Sequence, residues 1–179
     1  MRQVVAETGF DGLDRRYLRN KGGQVLRVER PGKRWTEYEY DGGGRVNRAQ
    51  YSDGSWEIYS YNKNGQLIAA RNEQSELQLE RDVLGRVVKE VQDGYRVESH
   101  YDKPGNRTGV GSSLGALLEV AYNPLGQVSG LSAQQGESEA WQAKLHYNSL
   151  GLEVERVING SLSSQWDYDS AGRPLCKLA

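Results

Sequence analysis

Tyr40-Asp41-Gly42-Gly43-Gly44-Arg45-Val46 and Tyr61-Asn62-Lys63-Asn64-Gly65-Gln66-Leu67 are two copies of one pattern, and that pattern decides the fold. An Asp or Asn after the Tyr can accept hydrogen bonds from backbone N–H groups further along and so begin a turn. The Gly three residues later can take positive φ without a Cβ clash. The aliphatic residue two beyond the Gly opens the next strand, and the Tyr closes the one before. Each copy therefore reads as a strand–turn–strand corner.

The pattern recurs through the chain. Tyr122-Asn123-Pro124-Leu125-Gly126-Gln127-Val128 is complete, while Tyr101-Asp102 with Gly105, Tyr147-Asn148 with Gly151, and Tyr168-Asp169 with Gly172 keep its first half. Arg stands for Tyr in Arg19-Asn20…Gly23-Gln24-Val25 and in Arg81-Asp82…Gly85-Arg86-Val87. Phe10-Asp11-Gly12-Leu13-Asp14-Arg15 reads as a degenerate copy whose Gly has become Asp14. The first positions fall at 19, 40, 61, 81, 101, 122, 147 and 168, so the step is 20 or 21 residues except for one of 25. A fixed period of this length is the mark of a repeat architecture. The expected organisation is a single array over 1–179, about eight units of 20–21 residues, with longer loops near 109–115 and 132–138.

Between corners lies a second turn. Asp53-Gly54, Asp93-Gly94 and Asn159-Gly160 are two-residue hairpin signals, and Pro31-Gly32 and Asn72–Ser75 occupy the same place in other units. The intervening segments alternate with period two: Tyr38 and Tyr40 share one face while Glu37 and Glu39 take the other, and Leu118, Val120 and Tyr122 share a face, as do Ala143, Leu145 and Tyr147. This is strand periodicity. The predicted fold class is all-β: tandem hairpins forming a long curved or spiralling antiparallel sheet, a partial shell, because so many strands do not stay flat and open.

Composition fits half-buried sheet faces. The chain of 179 residues has 36% hydrophobic residues, 22 Gly, 11 Tyr and 4 Trp but one Phe. Tyr and Trp combine an apolar ring with a polar tip. The net charge is −1 with both signs interleaved, unlike the one-sided basic surface of a nucleic-acid binder, so no nucleic-acid partner is expected. No apolar run approaches the roughly 18 residues a membrane-spanning helix needs, and Met1–Glu7 lacks the apolar stretch of a secretory signal. A lone Cys176, read as an incidental thiol, excludes an internal disulfide.

No catalytic constellation is apparent, and the chain reads as a non-enzyme with no metal and no cofactor. His100 and His146 each precede a corner Tyr, which marks a repeat position facing away from that Tyr rather than a ligand or base. Two His and one Cys do not make a structural zinc site. Gly42–Gly44 lacks the following helix and Lys-Ser/Thr pair of a phosphate loop.

The motif with its step resembles the YD repeat of the Rhs family, an element shared with the related toxin-encasing Tc components and teneurins, and the resemblance runs from about Phe10 to Arg173. Tyr40-Asp41…Gly44-Arg45 and Tyr168-Asp169…Gly172-Arg173 match it best. The resemblance implies a β-strip that forms part of a hollow shell around a secreted toxin polypeptide, with bacterial secretion and interbacterial competition as context. It implies that the chain is made in the bacterial cytoplasm and delivered within a larger assembly. The sequence has too few units to close such a shell, no Pro following Asp as self-cleavage in the family requires, and no toxin domain before Ala179. An open sheet also leaves edges that template pairing, so self-association or completion by a further YD-repeat chain is expected. The alternative is a carbohydrate- or cell-surface-binding module using Trp35, Trp56, Trp141 and Trp166, of which Trp35, opposite Tyr38 and Tyr40, reads as the most exposed. A shared exposed row of Trp would favour that alternative.

Overall fold

The computed structural model describes residues 5–10, 12–138 and 140–178; Met1–Val4, Asp11, Glu139, Ala179 and the side chains of 176–178, Cys176 included, lie outside the described residues. The described residues form strands and turns only. They cluster into two compact units, one running to Arg86 with Glu90–Gly94, the other comprising Val87–Lys89 and the chain from Tyr95.

The first unit holds β1 (Ala6–Thr8), β2 (Asp14–Arg19), β3 (Val25–Arg30), β4 (Arg34–Tyr40), β5 (Val46–Tyr51), β6 (Trp56–Tyr61), β7 (Leu67–Arg71) and β8 (Glu76–Arg81). Each strand pairs antiparallel with the next. β9 (Val87–Gln92) divides between the units. The second unit continues with β10 (Tyr95–Tyr101), β11 (Arg107–Ser112), β12 (Ala116–Tyr122), β13 (Val128–Gln135), β14 (Trp141–Tyr147), β15 (Glu153–Ile158), β16 (Leu162–Tyr168) and β17 (Pro174–Leu178). It too is an antiparallel meander in chain order.

Two expectations change. The stretch 109–115 is strand through Ser112 with a turn at 113–115, and 132–138 is strand through Gln135 with a turn ending at Ser138. Gly and Ser there signalled loops, but cross-strand pairing overrides local propensity: Gly109 faces Glu119 and Ser132 faces Gln142. The extra residues of the long step lengthen β13 and the turn after it. The degenerate first copy is also shifted, by two residues. Gly9 N–H donates to Leu13 O (3.0 Å) and Gly12 N–H to Gly9 O (2.9 Å), the bonds that Asp41 and Gly44 make at their corner. Gly12, with φ 72°, is therefore the corner glycine, and Asp14 is the first residue of β2.

Tip turns differ among themselves. Asp93-Gly94 and Asn159-Gly160 have positive φ at both residues, as a two-residue primed turn requires, whereas at Asp53-Gly54 only the Gly does. Each of these two primed tips also reaches the neighbouring hairpin. Asp93 N–H donates to Glu76 O (3.1 Å) while its Oδ1 accepts from Glu76 N–H (2.7 Å). Asn159 makes the same pair with Gln142 (2.9 and 2.8 Å). The carboxylate or carboxamide stands in for a backbone carbonyl and lengthens the ladder by one rung.

Burial is thin, as a single layer of sheet dictates. In the first unit Val28, Thr36 and Ala49 are buried on the face that carries Tyr38 and Tyr40; in the second, Ala143 and Leu145 are buried beside Tyr147. Gly42–Gly44 separates two uses of glycine. Gly44 sits at φ 77° and an added Cβ would lie 3.3 Å from the Gln24 carboxamide, while Gly42 has open space and ordinary φ. Gly44→Ala is expected to lower stability by roughly 1–2 kcal/mol, and Gly42→Ala to raise it by about 0.4–1 kcal/mol by restricting the unfolded chain; urea unfolding midpoints of the two variants check the opposite signs.

Candidate functional site: the repeat corner and the tryptophans

At each corner the Asp or Asn side chain closes the turn. Asp41 Oδ1 accepts from Gly43 N–H (2.8 Å) and Arg45 N–H (3.0 Å), and its Oδ2 from Arg45 Nε (2.7 Å). Asn62 Oδ1 accepts from Asn64 N–H and Gln66 N–H (both 3.0 Å), and its Nδ2 donates to Gln66 Oε1 (2.9 Å). The residue four after the turn-former is thus matched to it chemically. Asp41, Asp82 and Asp169 face Arg45, Arg86 and Arg173; Asn20, Asn62 and Asn123 face Gln24, Gln66 and Gln127. A carboxylate accepts a guanidinium fork, and a carboxamide is complementary to another carboxamide. Asp102 takes Asn106 instead (3.0 Å), and Asn148 has Leu152, which bonds through its backbone N–H alone (3.0 Å).

The same side chains reach the next corner. Gln24 Nε2 donates to Gly44 O (3.4 Å), Arg45 Nη1 to Asn62 O (3.3 Å) and Gln127 Nε2 to Gly151 O (2.9 Å). Successive corners are therefore bonded along the stacking direction.

The tyrosine does more than close a strand. Within each hairpin the strand pairing stops short of the corner: β5 and β6 pair only from Arg48–Ile58 to Gln50–Trp56, and β13 and β14 from Gly130–Lys144 outward. A register shift at the corner, between Ser60 and Tyr61 for example, turns the strand away. The carbonyl two residues beyond the preceding corner glycine then lacks a ladder partner, and the Tyr hydroxyl supplies one. Tyr40 donates to Val25 O (2.7 Å), Tyr61 to Val46 O (2.8 Å), Tyr101 to Val87 O (3.0 Å), Tyr122 to Arg107 O (3.0 Å), Tyr147 to Val128 O (2.6 Å) and Tyr168 to Glu153 O (2.6 Å). Arg81, standing where Tyr is missing, donates from Nε to Leu67 O (3.0 Å) and from Nη1 to Gly85 O (2.8 Å). Arg19 makes the second of these types of bond, to Gly23 O (2.9 Å).

Tyr51 and Tyr59, away from the corners, both donate to the Glu57 carboxylate, Tyr51 at 2.9 Å. Burial, and then the Glu57 carboxylate, push the Tyr51 phenol up to about 12, and the same causes raise Tyr59. Sequence reasoning passes over this cluster; Tyr51, Glu57 and Tyr59 come together only through the β5–β6 register, which no local signal carries.

The tryptophans do not form a shared row. Trp35 and Trp56 lie on the face opposite the corner tyrosines, at positions alternate to Tyr40 and Tyr61, whereas Trp141 and Trp166 share the face of Tyr147 and Tyr168. Guanidinium groups lie over three of the rings: Arg27 over Trp35 (4.5 Å), Arg71 over Trp56 (5.7 Å) and Arg156 over Trp166 (5.7 Å). Trp35, expected to be the most exposed, is half-buried because Arg27 extends across it; Trp141 is the exposed one, at 40%. His100 faces Gly109 across the ladder, and His146 Nε2 stands 4.0 Å from Glu155 Oε2, both on the face away from the corner Tyr. Among the described residues no group of His, Cys, Asp and Glu could hold a metal ion.

Fold and corner together define a tandem β-hairpin repeat protein whose unit is closed by a Tyr-Asp/Asn…Gly corner. The chain belongs to the teneurin YD-shell family, whose profile matches residues 20–173. Among solved structures it is similar to a chain of the TcdB2-TccC3 crystal structure (TM-score 0.79, 14% identity, covering 96% of this chain and 10% of that one). It is likewise similar to a chain of the TcdB2-TccC3-Cdc42 crystal structure (TM-score 0.78, 14% identity, 97% and 10%). The chain thus spans about a tenth of the length of these two solved chains. No curated protein matches it.

Tyr61→Phe is expected to lower unfolding free energy by about 1 kcal/mol by leaving the Val46 carbonyl unpaired, with Lys63→Ala at the exposed turn as the near-neutral control; chemical unfolding checks both. Stability should also fall in acid. Asp41 is held below the usual Asp range by the Arg45 guanidinium and backbone N–H, and Asp169 by the Arg173 backbone N–H and guanidinium; at Asp82 burial pulls upward but the Arg86 bonds prevail. A depressed native pKa contributes stability that is present above the unfolded value of about 3.9 and is lost as pH falls through the native value. Urea midpoints between neutrality and strong acid should drop below about pH 4, and a combined Asp41→Asn, Asp82→Asn, Asp169→Asn variant should show a shallower drop.

Proposed function

We propose that this chain is a stretch of shell wall: a structural element, not an enzyme, that encloses or scaffolds a polypeptide cargo within a larger secreted assembly. The observation that carries this reading is the corner ladder, in which Gln24, Arg45 and Gln127 each bond the next corner and which any further YD unit can extend. The family match and the likeness to TcdB2-TccC3 chains support it. Cdc42 is a component of the TcdB2-TccC3-Cdc42 structure and not of this chain; for this chain the corresponding proposal is an enclosed toxin polypeptide. Bacterial synthesis, delivery out of the cell and a role in interbacterial competition complete the reading. Glycan contact is the weaker reading, since the Trp side chains are split between faces and three lie under Arg.

A wall segment has edges to be continued. Within its own unit, among the described residues, β1 pairs with β2 and β17 with β16, so each presents an edge that can be continued. Absolute mass by light scattering behind size exclusion, over a range of concentrations, should rise above the 20.0 kDa of one chain. A clean monomer at every concentration would count against the wall-segment reading and raise that of an autonomous module.

A further inference from the structure

The corner-tyrosine faces of the two units differ in chemistry. In the first, Thr36, Tyr38, Tyr51, Glu57 and Tyr59 bring hydroxyls and a carboxylate to that face. In the second, the register places apolar residues opposite one another strand after strand: Val110 faces Leu118, Leu118 faces Ala133, and Ala133 faces Trp141. Near the corner the face is closed, with Ala143 2% and Leu145 9% exposed; toward the tips it is open, with Leu118 38% and Trp141 40% exposed. The open part is a groove of about 500 Å³ lined by Val97, Val110, Leu118, Ala133 and Trp141. Arg107 is the only charged residue lining it, and among the described residues its guanidinium has no ion pair. A contiguous exposed apolar patch rimmed by polar groups marks an interaction site.

We propose that this groove seats an extended polypeptide segment that places apolar side chains against Val110, Leu118 and Trp141 and a carboxylate against Arg107. The sheet's own ladders occupy the backbone of β11–β14, so recognition is through side chains and not by strand addition. Charge sets the polarity of the occupant: one cation and no carboxylate in the lining repel a basic segment and select an acidic one. Size excludes a folded partner, whose stable interface takes about 800 Å² from each side, far more than this row of side chains presents. The lining is mostly apolar, with Ser112, Gln134 and Gln135 as its neutral polar residues beside Arg107. The proposal deepens the reading of the chain as a wall that meets polypeptide cargo, and names where on this chain the contact falls.

The test is fluorescence anisotropy of a labelled, unstructured hexapeptide alternating leucine and serine with an aspartate at one end, titrated with the whole chain. Saturable binding is expected. Leu118→Asp should weaken it about tenfold or more, and Arg107→Glu should weaken the aspartate peptide while improving a peptide ending in lysine. Because Arg107 is exposed and its guanidinium holds no other strand in place, the charge-reversal pair keeps the test decisive if Leu118→Asp perturbs stability. Absence of binding, or binding that ignores both substitutions, overturns the proposal. So does a concentration-dependent dimer abolished by Leu118→Asp, which would assign the face to a second copy. Growth of mass through strand edges that persists in Leu118→Asp, with no peptide bound, would leave the wall reading standing and this proposal refuted; peptide binding by a strictly monomeric chain would do the reverse.

Discussion

The hydrogen bond from a corner tyrosine hydroxyl to the carbonyl two residues past the preceding corner glycine is the constraint on which the rest of the sheet depends. A hairpin that runs flat to its end pairs every backbone group with its partner strand. Here the strands of each hairpin part before the corner, because the register shift that turns the chain also ends the pairing. Parting exposes a carbonyl on a half-buried face, where an unpaired acceptor is costly. The phenol is long enough to span the gap, its ring covers the face, and its hydroxyl satisfies the carbonyl. Phenylalanine covers without donating, and serine donates without reaching. Arg81 shows the alternative that chemistry allows, a long side chain whose Nε takes the same role at Leu67 O.

From this bond the other features follow in order. The turn after the Tyr must be tight and reproducible, which the Asp or Asn side chain and the positive-φ glycine secure. Its last side chain is held by the turn-former and so points along the stack, where Gln24, Arg45 and Gln127 meet the next corner. Corners with a short or apolar residue there, Asn106 and Leu152, bond only within their own turn or pack, Leu152 lying 3.6 Å from where a Cβ on Gly172 would sit. Stability is then a sum of small local terms repeated along the chain, as expected of repeat proteins, and the thin burial at Val28, Ala49, Ala143 and Leu145 is consistent with that.

Much of this is legible in the residues. The period of Tyr, Asp/Asn and Gly locates the corners, and alternation locates the faces, because both signals are local. The coupling of Asp with Arg and of Asn with Gln four residues on is present in the sequence too, at 41 and 45 or 62 and 66, but it becomes meaningful only when one turn brings the pair together. The hydroxyl-to-carbonyl bond is not legible, since Tyr61 and Val46 belong to different strands and meet through register. The alignment of Phe10–Arg15 slips by two because that copy has Thr8 and Gly9 in place of Tyr and Asp. Alternation assigns Trp35 a face, but it carries no sign that Arg27 lies across the ring.

The most direct measurement of the central constraint is proton NMR of the tyrosine hydroxyls in the intact chain. The account predicts slowly exchanging hydroxyl signals for Tyr40, Tyr61, Tyr101, Tyr122, Tyr147 and Tyr168, each with a cross-peak to the residue whose carbonyl it bonds, such as Val46 for Tyr61 and Glu153 for Tyr168. Hydroxyl protons at these positions that exchange as fast as those of free tyrosine would contradict it.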